Sequence, residues 1–393
     1  MRRAVVTGLG AVTPFGIGVK AYWNGLAAGA CAIRPATLLD THGLRCRLAA
    51  EVPDAVPGSR RRSRADRLAL AAAAEALDDA RVERAERRGV AVVVGAVGGG
   101  MFEAERWYWA ESAQPGGVPD RRALTAVLPW SHAEVVANAL GLYGPRETLI
   151  TACSSGAAAL AVAADLVVTG MADLVLAGGA DAMTRICYLG FNALKLLDPG
   201  PCRPFDRERR GMSIGEGAGF LVLEEAAHAR ERGARAYAEL AGCGMTSDAH
   251  HVTSPDPQGR GMVRAMADAL AAGGLDPSDV DYANAHGTAT PQNDRVEARA
   301  LREVFGSGRL LVSATKSMIG HTMAAAGSLE AMATVLALVH ETVPPTANLT
   351  APDPEVAFDC VPQRARQAAA EHAISNSFGF GGQNVTLLFR RAS

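Results

Sequence analysis

Two segments of this chain, one on each side of the arginine-rich stretch Ala229–Ala236, are written to the same plan. In the first, a strand (Glu147–Thr151) runs into Cys153-Ser154-Ser155-Gly156-Ala157-Ala158-Ala159 and then a helix. In the second, the strand Leu310–Ser313 leads through Lys316 to Gly320-His321-Thr322-Met323-Ala324-Ala325-Ala326-Gly327 and another helix. Helices that open on glycine and alanine let backbones approach closely, which is unusual on a solvated face. The plan predicts a duplicated unit whose two central helices pack against each other in the middle of the molecule; an abundance of alanine is the competing reading. Length agrees with duplication, because 393 residues exceed the roughly 250–300 at which a single core stops growing. The expected halves are 1–241 and 242–393.

Between these landmarks, short β-branched runs alternate with alanine-rich helical stretches, the pattern of an α/β protein. Strands are expected at Ala4–Thr7, Val90–Val94, Leu174–Ala177, Gly219–Leu223, Tyr282–Ala285 and Val385–Phe389 besides the two above. Helices are expected at Ala65–Ala80, Ser155–Thr169, Gly261–Ala272, Arg295–Val304 and Ser328–Leu338. A net charge of −2 draws the chain neither to nucleic acid nor to a membrane surface. The apolar run after Met1-Arg2-Arg3 breaks at Thr7-Gly8, so no signal peptide is expected. Ala157–Val168 and Ala331–Val339 fall short of the roughly 20 residues of a membrane span. Seven cysteines without a CxxC pair offer no metal-ligand spacing, and their odd number excludes a complete disulfide framework. A reducing, cytoplasmic setting is expected.

Cys153 stands between a strand and a helix N-terminus, where unpaired N–H groups and the helix dipole favour a thiolate. The same strand–turn–helix placement would present the sulfur together with the backbone N–H of an oxyanion hole. His286 and His321 both follow apolar strands in Gly/Thr-rich loops, where open α/β sheets place their sites. One cysteine and two such histidines make a candidate nucleophile and acid/base set. Gly8-Leu9-Gly10 lacks the third glycine of a dinucleotide fingerprint, since position 13 is threonine, and no acidic ribose partner follows.

Taken in order, the motifs resemble a β-ketoacyl-[acyl-carrier-protein] synthase of the elongating, decarboxylating type, related to type II fatty-acid and polyketide ketosynthases. The resemblance runs end to end, from Val5-Val6-Thr7-Gly8-Leu9-Gly10 through Thr151-Ala152-Cys153-Ser154-Ser155 and Arg203-Pro204-Phe205-Asp206 with Gly215-Glu216-Gly217-Ala218-Gly219. It continues in Ser247-Asp248-Ala249-His250-His251-Val252-Thr253-Ser254-Pro255, the two histidine motifs, and Asn376-Ser377-Phe378-Gly379-Phe380-Gly381-Gly382-Gln383-Asn384. It implies a thiolase-like fold, two similar halves in an αβαβα layered sandwich, and a homodimer or a heterodimer with a chain-length-factor-like homologue. The set Cys153, His286 and His321 matches the condensing branch, whereas thiolases use a second cysteine and chain-length factors typically replace the nucleophile with glutamine.

The resemblance further implies that Cys153 carries an acyl group, that His286 and His321 bind a malonyl thioester, and that the N–H groups of Cys153 and Phe380 hold the oxyanion. Acyl carrier protein is the implied partner, with substrates on its phosphopantetheine arm and no other cofactor. Lys316 and Glu330 match the motif pair, as a structural ion pair supporting His321 or as a direct electrostatic element. Asp294 and Glu297 read as local supports, and Phe378 with Phe380 as a gating loop or core packing. Thr253, Thr288 and Thr290 match phosphopantetheine contacts, with turn-forming hydroxyls the alternative. Arg60, Arg61, Arg62, Arg64 and Arg67 form either a solvated face or the docking site for an acidic carrier. Phe102, Trp107, Tyr108 and Trp109 either shape the acyl tunnel or pack an interface.

Overall fold

The computed structural model describes residues 2–53, 56–59, 61–113, 121–128 and 130–392. Its spine is a sheet built from β1 (Ala4–Thr13), β2 (Ala91–Gly95), β3 (Arg146–Leu149), β4 (Leu174–Asp181), β5 (Gly217–Glu225), β6 (Ala238–Ser247), β7 (Tyr282–Asn284), β8 (Leu311–Ser313), β9 (His372–Gly379) and β10 (Gln383–Arg391). The spatial order is β8-β7-β9-β10-β6-β1-β5-β4-β2-β3, with the short strand Gly16–Ile17 hung off β1. Counted outward from the β6–β1 seam, each half passes through its own first, fifth, fourth, second and third strand. The duplication expected from two short segments is therefore a duplication of whole topology. At the seam Ala4, Val5 and Val6 pair with Leu240, Glu239 and Ala238, so the division drawn at 241/242 falls inside β6.

Side-chain alternation explains the layers. In β2, Ala91 and Val93 enter the central core while Val92 and Val94 enter an outer one; in β5, Leu221 and Leu223 point inward while Phe220 and Val222 point outward. A strand with period two and apolar residues on both faces must be covered on both sides. In the N-terminal half the outer cover is α1 (Arg64–Asp79) and α2 (Ser131–Leu140). The middle layer is α3 (Ser155–Val168), and the outer cover of the C-terminal half is α4 (Arg260–Gly273) with α5 (Pro291–Phe305). Against α3 lies α6 (Ala326–His340), its counterpart in the second half. These five layers are the αβαβα sandwich.

The central helices cross at their glycines. A Cβ on Gly156 would lie 2.5 Å from the carbonyl oxygen of Ala324, and one on Gly327 would lie 2.7 Å from the backbone nitrogen of Ala157. Each glycine thus admits the backbone of the other half. Met323–His340 is long and apolar enough to cross a membrane, yet nine-tenths of it is buried here, as the core helix of a layered protein must be.

Candidate active site

Each central helix is preceded by a strained elbow. β3 ends at Leu149, and the chain turns through Ala152, at a positive φ of 50°, into the 3₁₀ turn Ala152–Ser154 before α3 starts. For a residue with a Cβ this conformation costs about 1–2 kcal/mol. Ser155 offsets part of the strain: its Oγ accepts from the Thr151 N–H at 2.9 Å and donates to the Ala152 carbonyl at 2.7 Å. The turn leaves Cys153 only 7% exposed, at the wall of a narrow cleft.

That cleft sets Cys153, from the N-terminal half, among His286, His321, Phe378, Phe380, Thr253, Thr288 and Thr290, all from the C-terminal half. The imidazoles of His286 and His321 stand edge to face, their centroids 5.6 Å apart, with the Phe378 ring 6.1 Å from His286. Thr288 and Thr290 share a hydrogen bond between hydroxyls at 2.9 Å, while the Thr253 N–H donates to His251 Nδ1 at 3.1 Å. Phe380 packs on Phe191, 5.8 Å between centroids.

The hydrogen-bond partners determine which nitrogen of each imidazole carries the proton. Lys316, fully buried, donates from Nζ to His286 Nδ1 at 3.2 Å and to the His286 carbonyl at 2.7 Å, and pairs with Glu330. An ammonium has no lone pair, so Nδ1 accepts and the His286 proton sits on Nε2. In His321 the Met323 N–H donates to Nδ1 at 3.2 Å, again placing the proton on Nε2, and that Nε2 is buried without a partner among the described residues. Burial holds both imidazoles well below the ordinary histidine range, and the nearby Lys316 charge pushes the same way. Both are therefore neutral N–H donors at pH 7. Lys316 touches His286 rather than His321, which corrects the expected pairing: the backbone turn at Met323 already fills the Nδ1 of His321.

Glu297 and Asp294 brace the His286 loop and Glu330 pairs with Lys316; none of the three lines the cleft. Glu297 accepts the N–H groups of His286 and Gly287 at 2.7 and 2.8 Å, and burial pushes its pKa up to about 7 against those bonds. Asp294 accepts the N–H groups of Phe205 and Ala289 at 2.7 and 3.0 Å. Glu330 is likewise raised by burial, to about 7, against the pull of Lys316.

Cys153 departs from the thiolate expectation. Burial raises its pKa, outweighing the N–H groups of Phe380 and of Cys153 itself and the Lys316 charge, all of which lower it. The backbone N–H groups favour the anion as expected, but desolvation is the larger effect.

Family models for the N-terminal and C-terminal domains of β-ketoacyl synthases match residues 1–229 and 237–350. The chain belongs to the β-ketoacyl synthase family. This synthase is 39% identical to 3-oxoacyl-[acyl-carrier-protein] synthase 2 of Synechocystis sp., over 99% of its own length and 98% of the relative's. It is 41% identical to the putative polyketide beta-ketoacyl synthase 1 of Streptomyces halstedii, over 97% and 96%. Among solved structures it resembles the ishigamide ketosynthase/chain length factor, at a TM-score of 0.95 and 36% identity with both chains fully covered.

The arginine cluster of the synthase does not survive as a unit. Arg60 lies outside the described residues, Arg61 and Arg62 are exposed, and Arg67 is half-buried. Arg64 is 3% exposed and clasps Glu216 through Nε at 2.9 Å and Nη2 at 2.6 Å, so it cannot meet a partner. The aromatics of Met101–Ala113 also stand apart from the cleft; Tyr108 and Trp109 are largely exposed, and Arg185 covers the Trp109 ring at 5.4 Å. Sequence reasoning missed Phe191 and Met212 in the cleft wall, two apolar residues without any motif to announce them.

Proposed function

We propose that this synthase performs a decarboxylative condensation, joining an acyl group held on Cys153 to malonyl-acyl carrier protein and giving a β-ketoacyl-carrier protein in fatty-acid or polyketide/polyene synthesis. One observation carries the reading: a cysteine facing two backbone N–H groups shares a cleft with two neutral imidazoles, each a donor at Nε2. In the first stage the sulfur attacks an acyl thioester. A C–S bond to Cys153 forms, the C–S bond to the carrier breaks, and the carrier leaves as a thiol with the cysteine's proton. The N–H groups of Cys153 and Phe380 hold the tetrahedral oxyanion.

In the second stage the malonyl C–C bond breaks and its electron pair passes into an enolate as CO₂ leaves. His286 and His321 donate to the enolate oxygen, and in a dry site one such donor is worth about 3 kcal/mol of transition-state stabilisation. The enolate carbon attacks the acyl carbonyl on Cys153, and collapse of the adduct frees the sulfur. Lys316 keeps the His286 proton on Nε2, while Glu330 balances its charge and Asp294 steadies the loop. Thr253, Thr288 and Thr290 line the entry for a phosphopantetheine arm, and Phe378 and Phe380 gate it.

In this reading the N-terminal half, 1–241, supplies the nucleophile, and the C-terminal half, 242–393, supplies the two imidazoles and the gate. The partners are an acyl carrier protein and a second ketosynthase-like chain, either a copy or a chain-length-factor-like homologue, and the setting is cytoplasmic. Names of the relatives support the carrier and the paired chain, and seven free cysteines support a reducing compartment. A non-condensing partner subunit is the competing reading, and the intact cysteine and histidines count against it. Incubation with acyl-carrier protein and intact-mass analysis tests the proposal: one acyl adduct mapping to Cys153 is expected. Absence of an adduct with every chain length offered would reject it.

A further inference from the structure

A second imidazole system lies buried away from the cleft, and the mechanism does not use it. His132, at the start of α2, is 1% exposed, and its Nδ1 lies 2.7 Å from Oδ1 of Asp66 in the first turn of α1, itself 3% exposed. The far edge of the ring rests on the loop after β2, where a Cβ on Gly99 would lie 2.4 Å from Nε2. Gly98 and Gly99 in turn donate their N–H groups to Oδ1 of Asp181 at 2.8 and 2.9 Å. The other oxygen, Oδ2, crosses into the second half and accepts the N–H of Ala324 at 2.8 Å. Ala324 belongs to the 3₁₀ turn Met323–Ala325, whose Met323 N–H donates to Nδ1 of His321.

We propose that Asp66, His132 and Asp181 are positioning residues for His321, fixing the turn that sets its tautomer and its aim. Asp66 anchors the His132 ring, the ring props the Gly98–Gly99 backbone, and that backbone orients Asp181. The carboxylate then pins Ala324, so that Met323 keeps its N–H on the imidazole. The arrangement spends three backbone donors and two buried carboxylates on a turn that carries no reactive atom of its own, and His321 is the group in the cleft that depends on it. The inference rests on the proposed condensation, because it assigns a task to His321 within it.

Asp181→Asn tests the idea with little change of shape. Three N–H groups converge on the carboxylate, and an amide offers one oxygen; whichever way it turns, its NH₂ meets an N–H donor. CO₂ release from malonyl-carrier protein is expected to fall about 10- to 100-fold, as sub-ångström misplacement of a catalytic group does. Acylation of Cys153, followed by intact mass, is expected to stay within about twofold, because the first elbow is untouched. A paired variant, Asp66→Leu with His132→Leu, removes both partners of the buried pair, so no unpaired charge remains to unfold the protein; it should show the same split. Equal loss of both partial reactions, or no loss of either, in both variants would overturn the proposal. Failure of the wild-type protein to acylate Cys153 or to release CO₂ would instead reject the condensation itself.

Discussion

The two elbows of this synthase share one backbone and differ in what meets it. Ala152–Ser154 and Met323–Ala325 are both 3₁₀ turns opened by a residue at positive φ, 50° at Ala152 and 55° at Met323, and each feeds a central helix. Each is also covered by the fourth strand of the other half, Gly379 of β9 on the first and Gly179 of β4 on the second. At the first, the N–H groups of Cys153 and Phe380 face a sulfur in an open cleft. At the second, alanine stands where the cysteine would, and the Asp181 carboxylate fills the N–H. In the proposed reading, duplication gave two turns of one kind: the first receives the substrate oxyanion, and the second is closed by the protein's own Asp181 carboxylate and serves as a rigid mount for His321. One fold supports a chemical and a mechanical use of the same local geometry.

The largest effect expected from this contrast comes from moving the sulfur. Cys153→Ala should abolish acylation and lower condensation at least about 1,000-fold, since a covalent step is lost. Adding Ala324→Cys to that variant should restore nothing, because the second elbow's donor is taken and its side chain does not line the cleft. An acyl adduct on the transplanted cysteine, detected by peptide mass mapping, would break the comparison.

A smaller loss follows from unlocking His286, the imidazole whose proton is held by a side chain rather than by a turn. Lys316→Met alone would strand the buried Glu330 carboxylate and cost about 3–5 kcal/mol of stability. Lys316→Met with Glu330→Leu removes both charges, so the fold should survive by thermal melting. CO₂ release should fall about 10- to 100-fold, as for loss of one oriented donor. A double variant with wild-type decarboxylation would mean that Lys316 does not govern His286.

Much of this contrast was readable in the residues. Strand-to-helix segments around Cys153 and His321 announced both elbows, because small residues at a helix start and an apolar strand before it are local signals. Partnership was not local. In the run Arg61, Arg62, Arg64, nothing distinguishes the third from its neighbours until Glu216, more than 150 positions away, closes on it. Met101–Ala113 escaped as a helix because it has no buried face; Glu103 and Glu105 tie it to the N–H groups of Arg64, Arg185 and Ile186 instead. The β9 strand begins at His372, ahead of the Asn376–Asn384 motif, and runs into it where no strand is expected from the sequence. His132 and Asp181 belong to no motif, and only the fold brings them within reach of the second elbow.

The thiol itself offers a pH test of the first elbow. With its pKa raised by burial, Cys153 is protonated at pH 7, and alkylation by iodoacetamide should keep rising through pH 9. The sign follows from thiolate being the reactive form: a raised pKa moves the plateau to higher pH. A rate already level at pH 7 would show that the N–H donors outweigh desolvation at the first elbow.

The smallest expected effect concerns the surface above α1, where burial divides the arginines. Arg61 and Arg62 are exposed, as docking of an acidic carrier there would require, whereas Arg64 is committed to Glu216. Arg61→Glu with Arg62→Glu should raise KM for carrier protein about three- to tenfold at low ionic strength and leave kcat unchanged, because rim charges act on encounter rather than chemistry. The difference should shrink toward 0.5 M salt, where the screening length is down to about 4 Å. Arg64→Glu should instead lower the melting temperature, since it sets two carboxylates together in a buried site. If the exposed pair leaves KM unchanged in low salt while a small-thiol thioester substrate is turned over normally, docking lies elsewhere on the rim.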